Sequence, residues 1–160
     1  MECVEYKDIK TICSFYVSDV HLSVMLIPYI SKQLNEDVEV TTIFENLDKQ
    51  KIEEILNKTN VKDKRKILRI DWGKRYSLKL KKLNKVIDSD KDVVVIIGGS
   101  KKFINKYNEK VFKIILNKEY KHQNIKIINC FDVNELQYNV KNIAEKYEKI
   151  LNTAGEKIYK

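Results

Sequence analysis

Asp92-Val93-Val94-Val95-Ile96-Ile97-Gly98-Gly99-Ser100 is the stretch that decides the fold. Its apolar run is unbroken from Val93 to Ile97 and dominated by β-branched residues, which suit strands. A strand with no polar face must be covered on both faces, as happens inside a parallel sheet packed between helices. Two glycines and a serine end the run. The apolar positions that follow, Ile104, Tyr107, Val111, Ile114 and Ile115, keep helical spacing. A buried strand, a glycine turn and an amphipathic helix make up the repeating unit of a three-layer α/β domain.

The same alternation extends in both directions. Thr11 to Val17 reads as a first strand, and Ser18 or Asp19 can cap the helix after it. From His21 to Glu36, the residues Leu22, Leu26, Tyr29, Ile30 and Leu34 share one helical face, with Pro28 expected to bend the axis. Val38 to Phe44 reads as a second strand, and a helix from about Leu47 to Lys58 carries Ile52, Ile55 and Leu56. Lys66 to Asp71 reads as a third strand, broken by Asp71-Trp72-Gly73, and a helix over Tyr76 to Ile87 follows. After the Val93 strand and its helix come a fifth strand over Ile125 to Cys130 and a last helix with Leu136, Val140, Ile143, Tyr147 and Ile150 on one stripe. Five strand-helix units with right-handed crossovers predict a mostly parallel five-stranded sheet in a three-layer α/β sandwich. Residues 1–151 are expected to form one domain, and 152–160 a frayed tail.

Composition restricts the function classes. At 160 residues, 43% hydrophobic and 34% charged, the chain can build a core without a disulfide or metal staple. With 4 Gly and 1 Pro it is neither collagenous nor a linker-rich array. No apolar run approaches the ~20 residues that span a bilayer, so no membrane partner is expected. Met1-Glu2-Cys3-Val4-Glu5 is acidic and mixed, unlike a signal peptide, and a cytoplasmic location is the expectation. The net charge of +8 would attract polyanions, but of the 31 basic residues only Arg65, Arg69 and Arg75 are arginines, the side chain that reads phosphates and guanines bidentately. Richness in Lys, Ile, Asn and Tyr is what an AT-rich coding sequence produces, so a solvated lysine surface is favoured over a nucleic-acid site. The densest basic segments are Lys62 to Lys66 and Lys79 to Lys85, with few aromatics between them for base stacking. Cys3, Cys13 and Cys130 form no C-x-x-C and are odd in number, which argues against a zinc site or a disulfide framework. Cys13 and Cys130 are expected as buried thiols.

Ligands of open parallel sheets bind beyond the carboxyl ends of the strands. The candidate binding residues are therefore Tyr16, Ser18, Asp19 and His21 after the first strand and Glu45, beside Asn46, after the second. Asp71 and Trp72 follow the third, Gly98, Gly99, Ser100 and Lys101 the fourth, and Asp132, beside Phe131, the fifth. Gly98 to Lys101 is an anion-binding candidate, because glycines allow close backbone approach and a helix N-terminus offers N–H donors. Neither G-x-x-x-x-G-K-[ST] nor G-x-G-x-x-G occurs, which argues against a P-loop ATPase and a dinucleotide-binding dehydrogenase. There is no G-x-S-x-G elbow. Ser18-Asp19-Val20-His21 resembles the first metal motif of calcineurin-like phosphoesterases, but no G-N-H follows and two histidines cannot complete that site. The ordinary roles here are a helix cap for Asp19, a first-turn position for His21, a solvated loop for His122 and a packing lid for Trp72. No catalytic residue, metal or cofactor is expected.

The order of these signals resembles the methanogen/methylotroph sensory domain, the MEDS family. The matching segments are Thr11-Ile12-Cys13-Ser14-Phe15-Tyr16, Ile27-Pro28-Tyr29-Ile30, Ile67-Leu68-Arg69-Ile70-Asp71-Trp72, Val93 to Asn108, and Ile128-Asn129-Cys130-Phe131-Asp132. They cover residues from about 9 to 150. The resemblance implies a RecA-like or Rossmann-like domain without ATPase motifs, and a sensory role with a small-molecule ligand. Two places depart from the family pattern: Lys10-Thr11 where a His is common, and Ser100-Lys101-Lys102-Phe103 where an acidic and aromatic pattern is common. The expected function is non-enzymatic regulation through a small ligand or protein partner, with signal output by partner binding or self-association into a homo-oligomer. The alternatives are a nucleic-acid module using the lysine-rich surface and a small enzyme acting on a phosphorylated substrate.

Overall fold

The computed structural model describes residues 8–89, 91–117, 123–135 and 140–158. In chain order, strand β1 (Asp8–Tyr16) leads to helix α1 (Asp19–Asn35), and strand β2 (Glu39–Phe44) leads to helices α2 (Lys49–Asn57), α3 (Lys64–Leu68) and α4 (Tyr76–Ile87). Strand β3 (Val93–Gly99) is followed by α5 (Lys101–Leu116), and strand β4 (Asn124–Asp132) by a short 3-10 turn, α6 (Val140–Ala144) and the hairpin β5 (Lys149–Asn152) and β6 (Gly155–Ile158).

One sheet holds all six strands in the order β2-β3-β4-β1-β5-β6. Every neighbouring pair is parallel except β5 with β6. This is an α/β three-layer sandwich, as expected, with six strands rather than five. Its order is neither of the two common doubly wound ones, 3-2-1-4-5-6 and 2-1-3-4-5.

β3 is buried along its whole length, as its composition requires. Val94 and Ile96 belong to a core made with α1, α2 and α3, which also holds Leu26, Ile30, Leu56 and Trp72. Val93, Val95 and Ile97 face a second core made with α4, α5 and α6. α1 carries the predicted face, and Ser18 caps it by accepting the His21 N–H at 3.1 Å.

Three expectations from sequence are corrected. Lys66 to Asp71 is not a strand, because its first residues belong to α3. A short apolar run fits either period. The helix wins because Ile67 drops fully into the first core and its carbonyl accepts the Trp72 indole N–H at 2.8 Å. The last helix is also not continuous: α6 ends at Ala144, and Ile150 and Leu151 lie in β5. Of its predicted stripe, Leu136 lies outside the described residues. The segment expected to fray, 152–160, instead supplies β6 through Ile158. Gly155, at φ 99°, supplies the left-handed backbone of that turn, and Asn152 Oδ1 accepts the Ala154 N–H at 2.8 Å. Glu156 ties the hairpin to the body, accepting from Lys126 at 2.8 Å, Tyr29 at 3.0 Å and Lys149 at 3.3 Å. Burial alone would raise its carboxyl, but these three donors outweigh it and hold the group below its usual range.

β2 is an edge strand, and α4 guards it. The Glu39 and Glu45 N–H groups bond Asp92 and Gly98 on the β3 side, both at 2.9 Å, so residues 40, 42 and 44 turn their backbone groups outward. Tyr76 donates its hydroxyl to the Phe44 carbonyl at 2.6 Å. Lys79, one turn later on α4, donates its ammonium to the Thr42 carbonyl. Lys79 is only 3% exposed, and burial pushes its pKa from 10.5 down to about 8.

The sign of this shift sets a test. Between pH 8 and 10.5 the unfolded lysine holds more proton than the folded one, so this group's contribution to stability rises with pH across that window. Relative to Lys79→Met, the unaltered protein should gain up to ~3 kcal/mol over that range. Urea melts at several pH values measure it, and parallel pH profiles for the two proteins would contradict it.

Candidate functional site

Four parallel strands, β2, β3, β4 and β1, end on one rim. Across it Tyr16 stands in register with Asp132, and Gly99 with Phe131. The β1–β4 junction is also where the chain changes direction. β1 runs into α1 on one face, and β4 runs toward α6 on the other. A crevice at such a point is the general ligand position of open α/β sheets.

The Tyr16 phenol is at the centre of this rim and almost fully buried. Burial raises its pKa, and Asp132, Cys130, Asp19 and Glu45 raise it further, in that order. The phenol therefore stays protonated and can donate a hydrogen bond. Asp19, Glu45 and Asp132, at the exits of β1, β2 and β4, thus act on it electrostatically, and Asp132 stands beside Tyr16 in the sheet register.

The remaining rim groups are bonded locally. His21 Nδ1 accepts the Val17 N–H at 3.1 Å, which leaves the ring proton on Nε2. Asp19 pairs with Lys51 at 3.0 Å, and Lys51 also donates to the Asn46 carbonyl at 3.2 Å. The hydrogen bond from Lys51 to Asp19, and the carboxylate's charge, raise the lysine's pKa. Asp132 Oδ1 accepts the Asn134 N–H at 3.0 Å, and the Asn134 amide reaches the Val17 carbonyl at 3.3 Å, stitching the two exits together.

The glycine turn holds an anion of the protein's own. Glu45 Oε1 accepts the Ser100 N–H at 3.0 Å, and Ser100 Oγ caps α5 by accepting the Phe103 N–H at 3.3 Å. A carboxylate thus sits at the turn that was the anion-binding candidate. The glycines make room for this. A Cβ on Gly99, whose φ is 150°, would lie 2.7 Å from the Glu45 Cβ. A Cβ on Gly98 would lie 2.4 Å from the Phe44 ring.

Asp71 and Trp72 do not join this rim. Trp72 is 2% exposed and stacks on Phe44 with ring centroids 6.0 Å apart, so it reaches the rim only through that ring. A buried aromatic removes roughly 150–250 Å² from water, of order 4–6 kcal/mol at ~25 cal/mol per Å², which explains its place in the core. Asp71 turns to the β2 edge, where its carbonyl accepts from Thr42 Oγ1 and its carboxylate from the Gly73 N–H, both at 3.0 Å. Lys101 is exposed on the first turn of α5.

Sequence reasoning missed Lys51 and Asn134. Lys51 was legible, since Asp48 caps α2 by accepting the Lys51 N–H at 3.0 Å and so fixes where that side chain emerges. Nothing in the local pattern marks Asn134. Cys13 and Cys130 are buried free thiols, with burial raising both and Cys13 reaching about 11, so neither is a ready nucleophile. Cys3 and His122 lie outside the described residues. Among the described residues no three His, Cys, Asp or Glu side chains gather to hold a metal, and no helix is long and apolar enough to cross a membrane. Comparison with protein-family models, curated proteins and solved structures finds no match to this chain.

Two substitutions test the rim. Gly99→Ala forces Glu45 away and strains the backbone, and should destabilise by about 1–3 kcal/mol. Chemical denaturation measures it, and an unchanged midpoint would contradict the packing. Glu45→Ala frees the Ser100 N–H at the cap of α5. Inorganic phosphate should then raise the melting temperature of the variant and leave the unaltered protein where it was. Equal shifts in both would show that Glu45 does not fill that seat.

Proposed function

We propose that this chain is a regulatory, non-catalytic α/β domain of the MEDS type that senses a small molecule at the β1–β4 crevice and passes the signal to a protein partner in the cytoplasm. The observation that carries this reading is the carboxylate character of the rim that holds Tyr16: Asp132 stands in register with Tyr16, and Glu45 accepts the Ser100 N–H at the start of α5. Among the described residues, Asp19, Glu45 and Asp132 outnumber the one cation paired with them, Lys51. A phosphorylated substrate would be repelled there, which weighs against an enzyme acting on one. The side chains best suited to catalysis, His21, Ser18 and Ser100, are committed to local backbone bonds. A phenol and carboxylates suit a neutral or cationic molecule rich in hydrogen-bond donors.

A thermal-shift panel divided by ligand charge tests the proposal. Polyols, amines and amino-acid derivatives should include a stabiliser, while nucleotides and sugar phosphates should not act through the rim. A ligand at 100 times its Kd adds about 2.7 kcal/mol, or roughly 5–10 °C for a domain of this size. Asp132→Asn should remove the response without lowering the basal melt by a comparable amount. Stabilisation by nucleotides that disappears in Asp132→Asn, or a panel that moves nothing, would refute this reading.

A further inference from the structure

The guard along β2 is incomplete. α4 covers the outward carbonyls of Phe44 and Thr42 and stops there. The outward N–H and C=O of Val40 and the N–H of Thr42 have no partner among the described residues. They face a cavity of about 500 Å³ whose floor is the β2 edge from Glu39 to Thr42. One wall is α3 and the segment after it, with Lys66, Arg69 and Ile70. The other wall is α4, with Lys79, Lys82 and Val86.

We infer that this groove binds an extended acidic peptide from a partner protein, added as a short strand beside β2. Three observations lead there. Unpaired strand-edge groups are a template for another strand, and β-addition uses them directly. The walls carry Lys66, Arg69, Lys79 and Lys82 against Glu39 and Asp71, and Glu39 is already paired with Lys91 at 3.5 Å. The excess positive charge selects acidic side chains on the incoming strand. Apolar Leu34, Ile70 and Val86 line the same cavity and would take its alternate side chains.

The other occupants fit less well. A second copy pairing edge to edge would set basic walls against basic walls. Nucleic acid would meet the lysines but no free aromatic, since Trp72 is in the core and Tyr76 packs against Phe103 and Tyr107. The capped carbonyls at Thr42 and Phe44 limit pairing to roughly two or three residues, ~7–10 Å of strand. Lys66 and Lys79 with Lys82, from two basic segments that read as a solvated surface in sequence, therefore stand on opposite banks of one groove.

Fluorescence anisotropy with a labelled hexapeptide of alternating Glu and Val, against its Lys-Val counterpart, tests the inference. The acidic peptide should bind and the basic one should not. Val40→Pro removes one outward N–H without changing charge, and proline is tolerated on an edge. It should weaken binding about ten-fold, as one lost hydrogen bond implies. Arg69→Glu combined with Lys82→Glu should weaken it at least as much. In the unaltered protein, the Val40 and Thr42 amide signals should move as peptide is added, which decides the matter even if Val40→Pro fails to fold. The inference is overturned by no acidic-peptide binding at ~1 mM, or by unmoved Val40 and Thr42 amides. It is also overturned by an oligonucleotide that binds more tightly and equally well to Val40→Pro, or by self-association that the same variant abolishes.

Discussion

β3 leaves no face for water. Seven consecutive residues, Val93 to Gly99, are buried, and everything around them follows from covering both sides of that strand. α1, α2 and α3 must lie on one face and α4, α5 and α6 on the other. Since β3 is internal and parallel to both neighbours, β2 and β4 are aligned with it, and β4 in turn aligns β1 through nine register pairs. Four strand ends reach one rim because of this stack of parallel pairings, and no local feature of the loops would place them there.

The end of β3 also sets the chemistry of the rim. Without side chains at Gly98 and Gly99, Phe44 and Glu45 from the next strand close over β3. Phe44 then links the rim to Trp72 in the core, and Glu45 brings a negative charge to the α5 N-terminus. A strand-glycine-helix turn elsewhere can cradle a phosphate. Here Glu45, just past the end of the neighbouring strand, supplies the anion from within the protein. Burial and the charge of nearby carboxylates raise the Tyr16 pKa, so the phenol keeps its proton and can donate a hydrogen bond.

The opposite charge collects at the edge of the sheet. β2 is the outermost strand, and a helix rich in lysine lies along it. Lys79 shows what this arrangement costs. Its ammonium is buried to bond a backbone carbonyl that would otherwise face outward unpaired. An acidic rim and a basic edge groove coexist on a chain whose net charge of +8 hides the separation.

The elements with strong, long patterns were legible without coordinates: β1, α1, β2, α4, β3, α5 and β4 all stand within a few residues of where the sequence puts them. So were the cap at Ser18 and the burial of Cys13 and Cys130. Periodicity failed at Lys66 to Asp71 and at the last helix, where short apolar runs satisfy both helical and extended spacing and long-range packing chooses between them. By itself the sequence determined a three-layer α/β domain with a glycine turn after its most buried strand, because strand burial and helix amphipathicity are local periodicities. Only the tertiary structure decided the strand order, the seating of Glu45 against α5, the removal of Trp72 and Asp71 from the rim, and the joining of two lysine segments around β2. Each of these depends on contacts between residues far apart in the chain, which no spacing within a segment encodes.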